Sequence, residues 1–113
     1  MNSNQKGKRG EREFASLCRS EGYNSVRRSK QYCGEAGDAD LINLPGIHVE
    51  VKRVERLNIN DAMDQAINDT RNTDNMPIVA HRKNNCHWLI TMEAEDWFNL
   101  YREWEAGQEV EGE

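Results

Sequence analysis

The chain has 113 residues, enough for one domain with a single modest core and too few for two. Hydrophobic residues make up 36% of it and charged residues 31%, and its mean hydropathy is -0.97. No apolar stretch approaches the roughly 18 residues that a transmembrane helix needs, and the first six residues lack the apolar segment of a signal peptide. These features exclude a membrane protein, and we expect a cytoplasmic one.

The cysteines also favour a reducing compartment. Cys18, Cys33 and Cys86 are odd in number and widely spaced, unlike the disulfide framework of a secreted domain. A zinc site of Cys86 and His87 with Cys33, His48 or His81 is the alternative, but the chain has no C-x-x-C or H-x-x-x-H pair. Ordinary core or surface positions are the simpler expectation for all three thiols.

The formal charge of -5 is unevenly distributed along the chain. Residues 1–30 hold eight basic and three acidic side chains, whereas residues 93–113 hold eight acids and Arg102 alone as a base. Because a phosphate-binding surface needs local positive charge, the first third is a candidate DNA-facing region. A solvated basic face with no ligand would have the same composition.

The hydrophobic pattern predicts an alternation of helices and strands. Phe14 and Leu17 have helical spacing within residues 10–21, and Gly22 is a typical helix end. The remaining predicted elements are a strand at 24–28, a loop at 29–37, strands at 41–44 and 47–54, a helix from 58–60 to 72, strands at 76–80 and 86–90, and a helix at 91–106.

This order, α-β-β-β-α-β-β-α, predicts an α/β domain with a mixed five-stranded sheet flanked by helices. The domain spans residues 1–113, and residues 1–6 and 107–113 are expected to be flexible ends. Trp97, Tyr101 and Trp104 have helical spacing in the last helix, so they are predicted to lie in the core.

The two strands around Pro45-Gly46 form a predicted hairpin whose register decides which residues face each other. A three-residue loop sets Asp40 opposite Glu50, whereas a two-residue loop sets Leu41 opposite Glu50. We prefer the first register, because it keeps the apolar and charged residues on separate faces. Lys52 then shares the face of Glu50, since side chains alternate along a strand with a period of two.

Two carboxylates and a lysine on one face suit metal-assisted phosphodiester hydrolysis. Carboxylate oxygens bind hard cations such as Mg²⁺ or Mn²⁺, and a lysine beside the ion stabilises developing charge or orients the attacking water. The simpler alternative is that His48, Glu50 and Lys52 form the solvent-exposed face of an amphipathic strand.

Two motifs resemble a known nuclease family. Asp40-Leu41-Ile42 followed by Ile47-His48-Val49-Glu50-Val51-Lys52 resembles the D...ExK signature of the PD-(D/E)XK nuclease superfamily. Residues 7–14, Gly-Lys-Arg-Gly-Glu-Arg-Glu-Phe, are similar to the opening of archaeal-type Holliday junction resolvases. The resemblance extends to about Ile90, and the segment lengths are closer to phage-encoded versions of the fold.

The resemblance implies a restriction-endonuclease-like core and a role for each motif residue. It assigns the catalytic set to Glu11, Asp40, Glu50 and Lys52. It assigns metal binding to Asp40, Glu50, Glu11 and the carbonyl of Val51. It implies DNA or active-site contacts at Lys8, Arg9, Arg12, Arg28, Ser29 and Lys30. Asp38 competes with Asp40 for the motif position, and Gln65 is a further candidate on the second helix.

The expected activity is that of a Mg²⁺- or Mn²⁺-dependent Holliday junction resolvase in DNA recombination or repair. A homodimer is expected, because symmetric cutting of a four-way junction requires two active sites. One alternative is a monomeric nuclease for flaps, nicks or single-strand ends with the same catalytic residues. Another is a DNA-binding module without catalytic activity, in which the basic first third contacts the DNA.

Overall fold

A computed structural model of the protein describes residues 3–29 and 39–111. The elements in chain order are α1 (Ser3–Ser20), β1 (Arg27–Arg28), β2 (Leu41–Ile42), β3 (Ile47–Arg53), α2 (Ile59–Thr70), β4 (Met76–Arg82), β5 (Leu89–Met92) and α3 (Ala94–Glu111). The mixed α/β class predicted from the sequence is confirmed. No helix in the described part of the chain is both long and apolar enough to cross a membrane.

The described strands form two sheets instead of the single five-stranded sheet that the pattern predicted. β1 pairs antiparallel with β2, and a second sheet has the order β3-β4-β5. Within it β3 and β4 run parallel, with α2 as their crossover, and β5 returns antiparallel to β4. Because helices cover the parallel pair, β3 is buried on both faces along its centre.

The predicted hairpin is a corner between the two sheets, and its register is not the one preferred from the sequence. Gly46 has the expected positive φ of 84°. The N–H of Asp40 donates to the carbonyl of Val49 over 2.9 Å, so Asp40 lies beside Val49 and not opposite Glu50. The physical reason is that the Asp40 carboxylate accepts the N–H of Val51, in place of a backbone partner on the neighbouring strand.

The core has one layer on each side of the β3–β4 sheet. On the α1 side, Phe14 and Ala15 pack with Val49 and Val51, and the Phe14 ring lies 5.0 Å from that of Trp88. On the other side, a smaller cluster joins α2 to β4 and contains Ala62, Met63, Ala66 and Val79. The two layers fix α1 and α2 on opposite faces of β3.

The N-terminus of α2 is capped as the sequence predicted. Asn58 accepts the backbone N–H of Asp61 through its side-chain oxygen, over 3.1 Å. This bond satisfies one of the amide groups that the first helical turn leaves without a helical partner.

The prediction that the aromatic residues of the last helix lie in the core is wrong. Trp97 is 48% exposed and Trp104 59%, and Tyr101 is exposed as well. No other described element packs closely against α3. The helix begins at Ala94 and not at Thr91, which is part of β5. The helical period identifies the apolar face of a helix, but it does not show whether another element of the same chain covers that face.

Gly10 marks the closest approach between α1 and β3. A Cβ atom added at Gly10 would lie 2.8 Å from the Cβ atom of Arg53, which cannot swing away because it is bonded to the backbone. A Cβ atom at Gly7, on the same helix, would meet nothing within 4 Å.

We therefore expect opposite effects from one substitution at these two glycines. Gly10→Ala should lower the free energy of unfolding by about 1–3 kcal/mol, because α1 must shift away from β3. Gly7→Ala should leave it unchanged or raise it by up to about 1 kcal/mol, because alanine favours the helix. Urea unfolding of the two variants measures both effects, and equal stabilisation by both would contradict the close approach.

Candidate active site

β3 carries Glu50 and Lys52 on its α2 face, where the ordinary alternation of a strand places both. His48 and Glu50 are only 5% and 3% exposed. The Nε2 atom of His48 lies 2.8 Å from Oε1 of Glu50. Buried polar side chains of this kind are not the solvent-exposed face of an amphipathic strand, so that simpler alternative is wrong for these two residues.

Glu11 reaches the site from α1. It is 6% exposed, and its Oε1 atom lies 3.4 Å from Nε of Arg28 on β1. Because α1 begins at Ser3, Glu11 is well inside the helix and not in its first turn. Compensation of the helix dipole therefore does not explain this carboxylate.

Asp40 is held in place by the pairing of β1 with β2. The N–H of Ser29 donates to the carbonyl of Asp40 over 3.0 Å, and the Ser29 hydroxyl donates to the carbonyl of Ala39 over 2.7 Å. The Asp40 carboxylate then accepts the N–H of Val51 over 2.8 Å. These bonds fix the backbone and the side chain of Asp40 beside β3.

Glu11 and Glu50 lie close enough to Asp40 for their negative charges to raise its pKa. Burial raises the pKa of Asp40 to about 7, and the negative charges of Glu50 and Glu11 add to the increase while the N–H of Val51 opposes it. Burial also raises the pKa of Glu11, and Arg28 partly offsets that shift. The structure thus brings together Glu11, Asp40 and Glu50 from three different elements.

Lys52 lines a shallow concavity of about 330 Å³ beside α2. Gln65 of α2 lines the same concavity, together with Asn58 and Asp61. From the sequence, Gln65 was a candidate only through the family resemblance. The structure places it on the same surface as Lys52.

The predicted DNA-contacting residues fall into two groups. Lys8, Arg9 and Arg12 are exposed on α1, although Arg9 lies 3.6 Å from Glu13. Arg28 and Ser29 instead make the internal contacts with Glu11 and Ala39 described above. Lys30 and Asp38 lie outside the described residues.

Sequence reasoning missed two side chains beside Glu50. The ligand atoms of His48, Glu50 and Asp69 all lie within 4.8 Å of one another. Asp69 lies near the C-terminal end of α2, the helix that connects β3 to β4. No sequence spacing relates Asp69 to the strand residues. The signal for His48 was its position two residues before Glu50, on the same strand face.

Comparison with known proteins supports the fold. The sequence matches no protein-family model and no curated protein. Among solved structures, the chain is similar to Hjc, a Holliday junction resolvase from the archaeal hyperthermophile Archaeoglobus fulgidus, with 20% identity and a TM-score of 0.56. The match covers 77% of this chain and 72% of that chain. This chain has the Hjc fold, as the sequence motifs implied.

The carboxylate cluster fits a divalent cation on chemical grounds. Three buried or half-buried carboxylates with a raised pKa at Asp40 make an oxygen-rich, electron-rich site. Mg²⁺ and Mn²⁺ prefer such ligands, and a bound cation would relieve the repulsion that raises this pKa.

The pKa of Asp40 predicts a pH-dependent stability. Because the folded protein favours the protonated form, the contribution of Asp40 is fully present below its ordinary pKa of 3.8 and is lost as the pH rises to about 7. Without divalent metal, Asp40→Asn should therefore be more stable than the wild type, by about 1–3 kcal/mol at pH 8. Its advantage should shrink toward pH 4.

Urea unfolding in EDTA across this pH range measures the difference. Asp64→Asn, at an exposed position of α2, is the matched control and should show no such trend. A loss of stability in Asp40→Asn at pH 8 would contradict the repulsion at the cluster.

Proposed function

We propose that this protein is a divalent-metal-dependent DNA endonuclease that hydrolyses phosphodiester bonds. The observation that carries the proposal is the convergence of Glu11, Asp40 and Glu50, from α1, the β2 segment and β3, in the fold of a Holliday junction resolvase. Lys52, two positions after Glu50, supplies the cationic group that completes the motif.

Each side chain has a defined role in this proposal. Asp40, Glu50 and the carbonyl of Val51 hold Mg²⁺ or Mn²⁺, with Glu11 as a supporting ligand. When bound, the ion supplies a more acidic water and neutralises charge on the phosphate. Lys52 orients the attacking water or stabilises the developing charge.

We further propose that the substrate is a four-way DNA junction and that the reaction serves recombination. The support for this step is the fold shared with Hjc, together with the basic surface of α1. Lys8, Arg9 and Arg12 are exposed on the helix that carries Glu11, so phosphates bound there lie near the carboxylates.

Removal of a motif side chain should stop cleavage without abolishing DNA binding. Asp40→Asn removes a metal ligand and Lys52→Ala removes the cationic group. Each should lower the rate of Mg²⁺-dependent junction cleavage by about 100-fold or more. Affinity for the junction, measured by fluorescence anisotropy in EDTA, should stay within a few fold, since the phosphate contacts of α1 remain.

The matched control is Lys83→Ala, which removes an exposed lysine from the turn between β4 and β5. It should cleave at the wild-type rate. Unchanged cleavage in both motif variants would refute the proposed site, and wild-type protein that binds DNA but cleaves no junction, flap or duplex would favour a DNA-binding module without catalysis.

We also propose that two copies associate through α3. Its exposed apolar residues form one stripe, which we call the aromatic face: Trp97, Phe98, Leu100, Tyr101 and Trp104. The rings of Trp97 and Tyr101 stack with centroids 5.3 Å apart, and those of Tyr101 and Trp104 are 5.6 Å apart. The stripe is therefore continuous along the helix.

The size and charge of the aromatic face fit a second copy of this chain. Each aromatic side chain has about 150–250 Å² of surface, so five half-exposed residues offer on the order of 450 Å². A stable interface buries about 800 Å² per partner, and the aromatic face would supply about half of that area. At 100° per residue, Glu95 and Glu103 lie on the opposite side of the helix, whereas Glu105 lies on the side of Tyr101, about one turn beyond it. A two-fold contact centred on Trp97 and Tyr101 would bring apolar surface to apolar surface.

A charge at the centre of the aromatic face should break this dimer. Tyr101→Glu should sediment as a monomer at concentrations where the wild type is a dimer, and it should lose paired symmetric cuts on a junction. Asn99→Glu places the same charge on the opposite side of α3 and should remain dimeric. A monomeric wild type at high concentration would contradict the interface and favour a monomeric flap or nick nuclease.

A further inference from the structure

The α2 face of β3 holds a second group of metal-ligating side chains beside the motif carboxylates. It consists of His48, Glu50 and Asp69, whose ligand atoms lie within 4.8 Å of one another. His48 and Glu50 are nearly inaccessible to solvent, and Asp69 is half-buried near the C-terminal end of α2. None of these residues except Glu50 has a role in the proposed cleavage reaction.

The geometry of this group is close to that of a coordination shell. The His48 Nε2 atom and the Glu50 Oε1 atom are 2.8 Å apart. Two ligands bound at about 2.1 Å lie about 3 Å apart when adjacent and about 4.2 Å apart when opposite. Small rotations of the Asp69 side chain would bring the third ligand within that range.

The donor set differs from that of the motif site. Asp40 and Glu11 offer only oxygen, which suits Mg²⁺, whereas His48 offers an imidazole nitrogen. A nitrogen donor strengthens binding of transition metals over Mg²⁺, which dehydrates reluctantly and prefers oxygen. Glu50 borders both groups, with one oxygen beside His48 and its charge beside Asp40.

We propose that His48, Glu50 and Asp69 bind a second divalent ion, selective for transition metals such as Mn²⁺, and that Glu50 is shared between the two metal sites. The second site requires α2 to stay docked on β3, because Asp69 is the one ligand that α2 supplies. In this proposal, the contact between His48 and Glu50 places two ligands of the second ion side by side, in addition to orienting Glu50. The inference shares Glu50 with the proposed nuclease site, but metal binding there does not require cleavage.

Counting bound Mn²⁺ ions by electron paramagnetic resonance tests the proposal on the intact protein without DNA. The wild type should bind two Mn²⁺ ions per chain, and excess Mg²⁺ should displace only one. Asp69→Asn should bind one, and that ion should be fully displaced by Mg²⁺. Asp64→Asn, an exposed acid on the same helix, should keep both ions.

His48→Gln is the second variant and should also lose the ion that resists Mg²⁺. Thermal unfolding verifies that each variant is folded before its ions are counted. A wild type with a single Mn²⁺ ion, or two ions retained in folded Asp69→Asn, would overturn the second site. Cleavage assays are separate: two ions without junction cleavage would refute the nuclease proposal alone, and cleavage with one bound ion would refute the second site alone.

Discussion

The burial of negative charge around Asp40 is the constraint on which the rest of the structure depends. Glu11 and Glu50 are almost fully buried near a third carboxylate, and such groups repel each other strongly where water is excluded. Two hydrogen-bond donors offset this repulsion: the N–H of Val51 bonds to Asp40, and the guanidinium of Arg28 bonds to Glu11. The same bonds connect β1 and the residue before β2 to α1 and β3, beside the core contacts of Val26 and Leu41.

β3 meets a second requirement, because both of its faces are covered. Val49 and Val51 pack against α1, so the alternate residues His48 and Glu50 must point toward α2. A strand covered on both faces usually carries apolar residues throughout. The two polar side chains here pair with each other over 2.8 Å, which lowers the cost of burying them and keeps Glu50 in one orientation.

The strand alternation of this site could be predicted from the sequence, but its register could not. The period of two places Glu50 and Lys52 on one face whatever their neighbours are. The position of Asp40 depends on the hydrogen bond between its own carboxylate and the N–H of Val51. A hydrophobic pattern gives no sign of a bond between a side chain and the backbone. The position of Asp69 beside Glu50 could not be predicted either, because it depends on how α2 packs over the sheet. The aromatic residues of α3 were misassigned because periodicity identifies a face and not its partner.

The uneven distribution of charge along the chain favours one orientation of the protein in the proposed complex with DNA. A net charge of -5 would repel a polyanion if it were spread evenly. The exposed bases Lys8, Arg9 and Arg12 lie on the helix that carries Glu11, whereas most of the acids of the last 21 residues belong to α3. In the proposed complex, DNA would be attracted to the helix that supplies Glu11 and repelled by the acidic α3. The proposed dimer through α3 would keep the apolar stripe away from water.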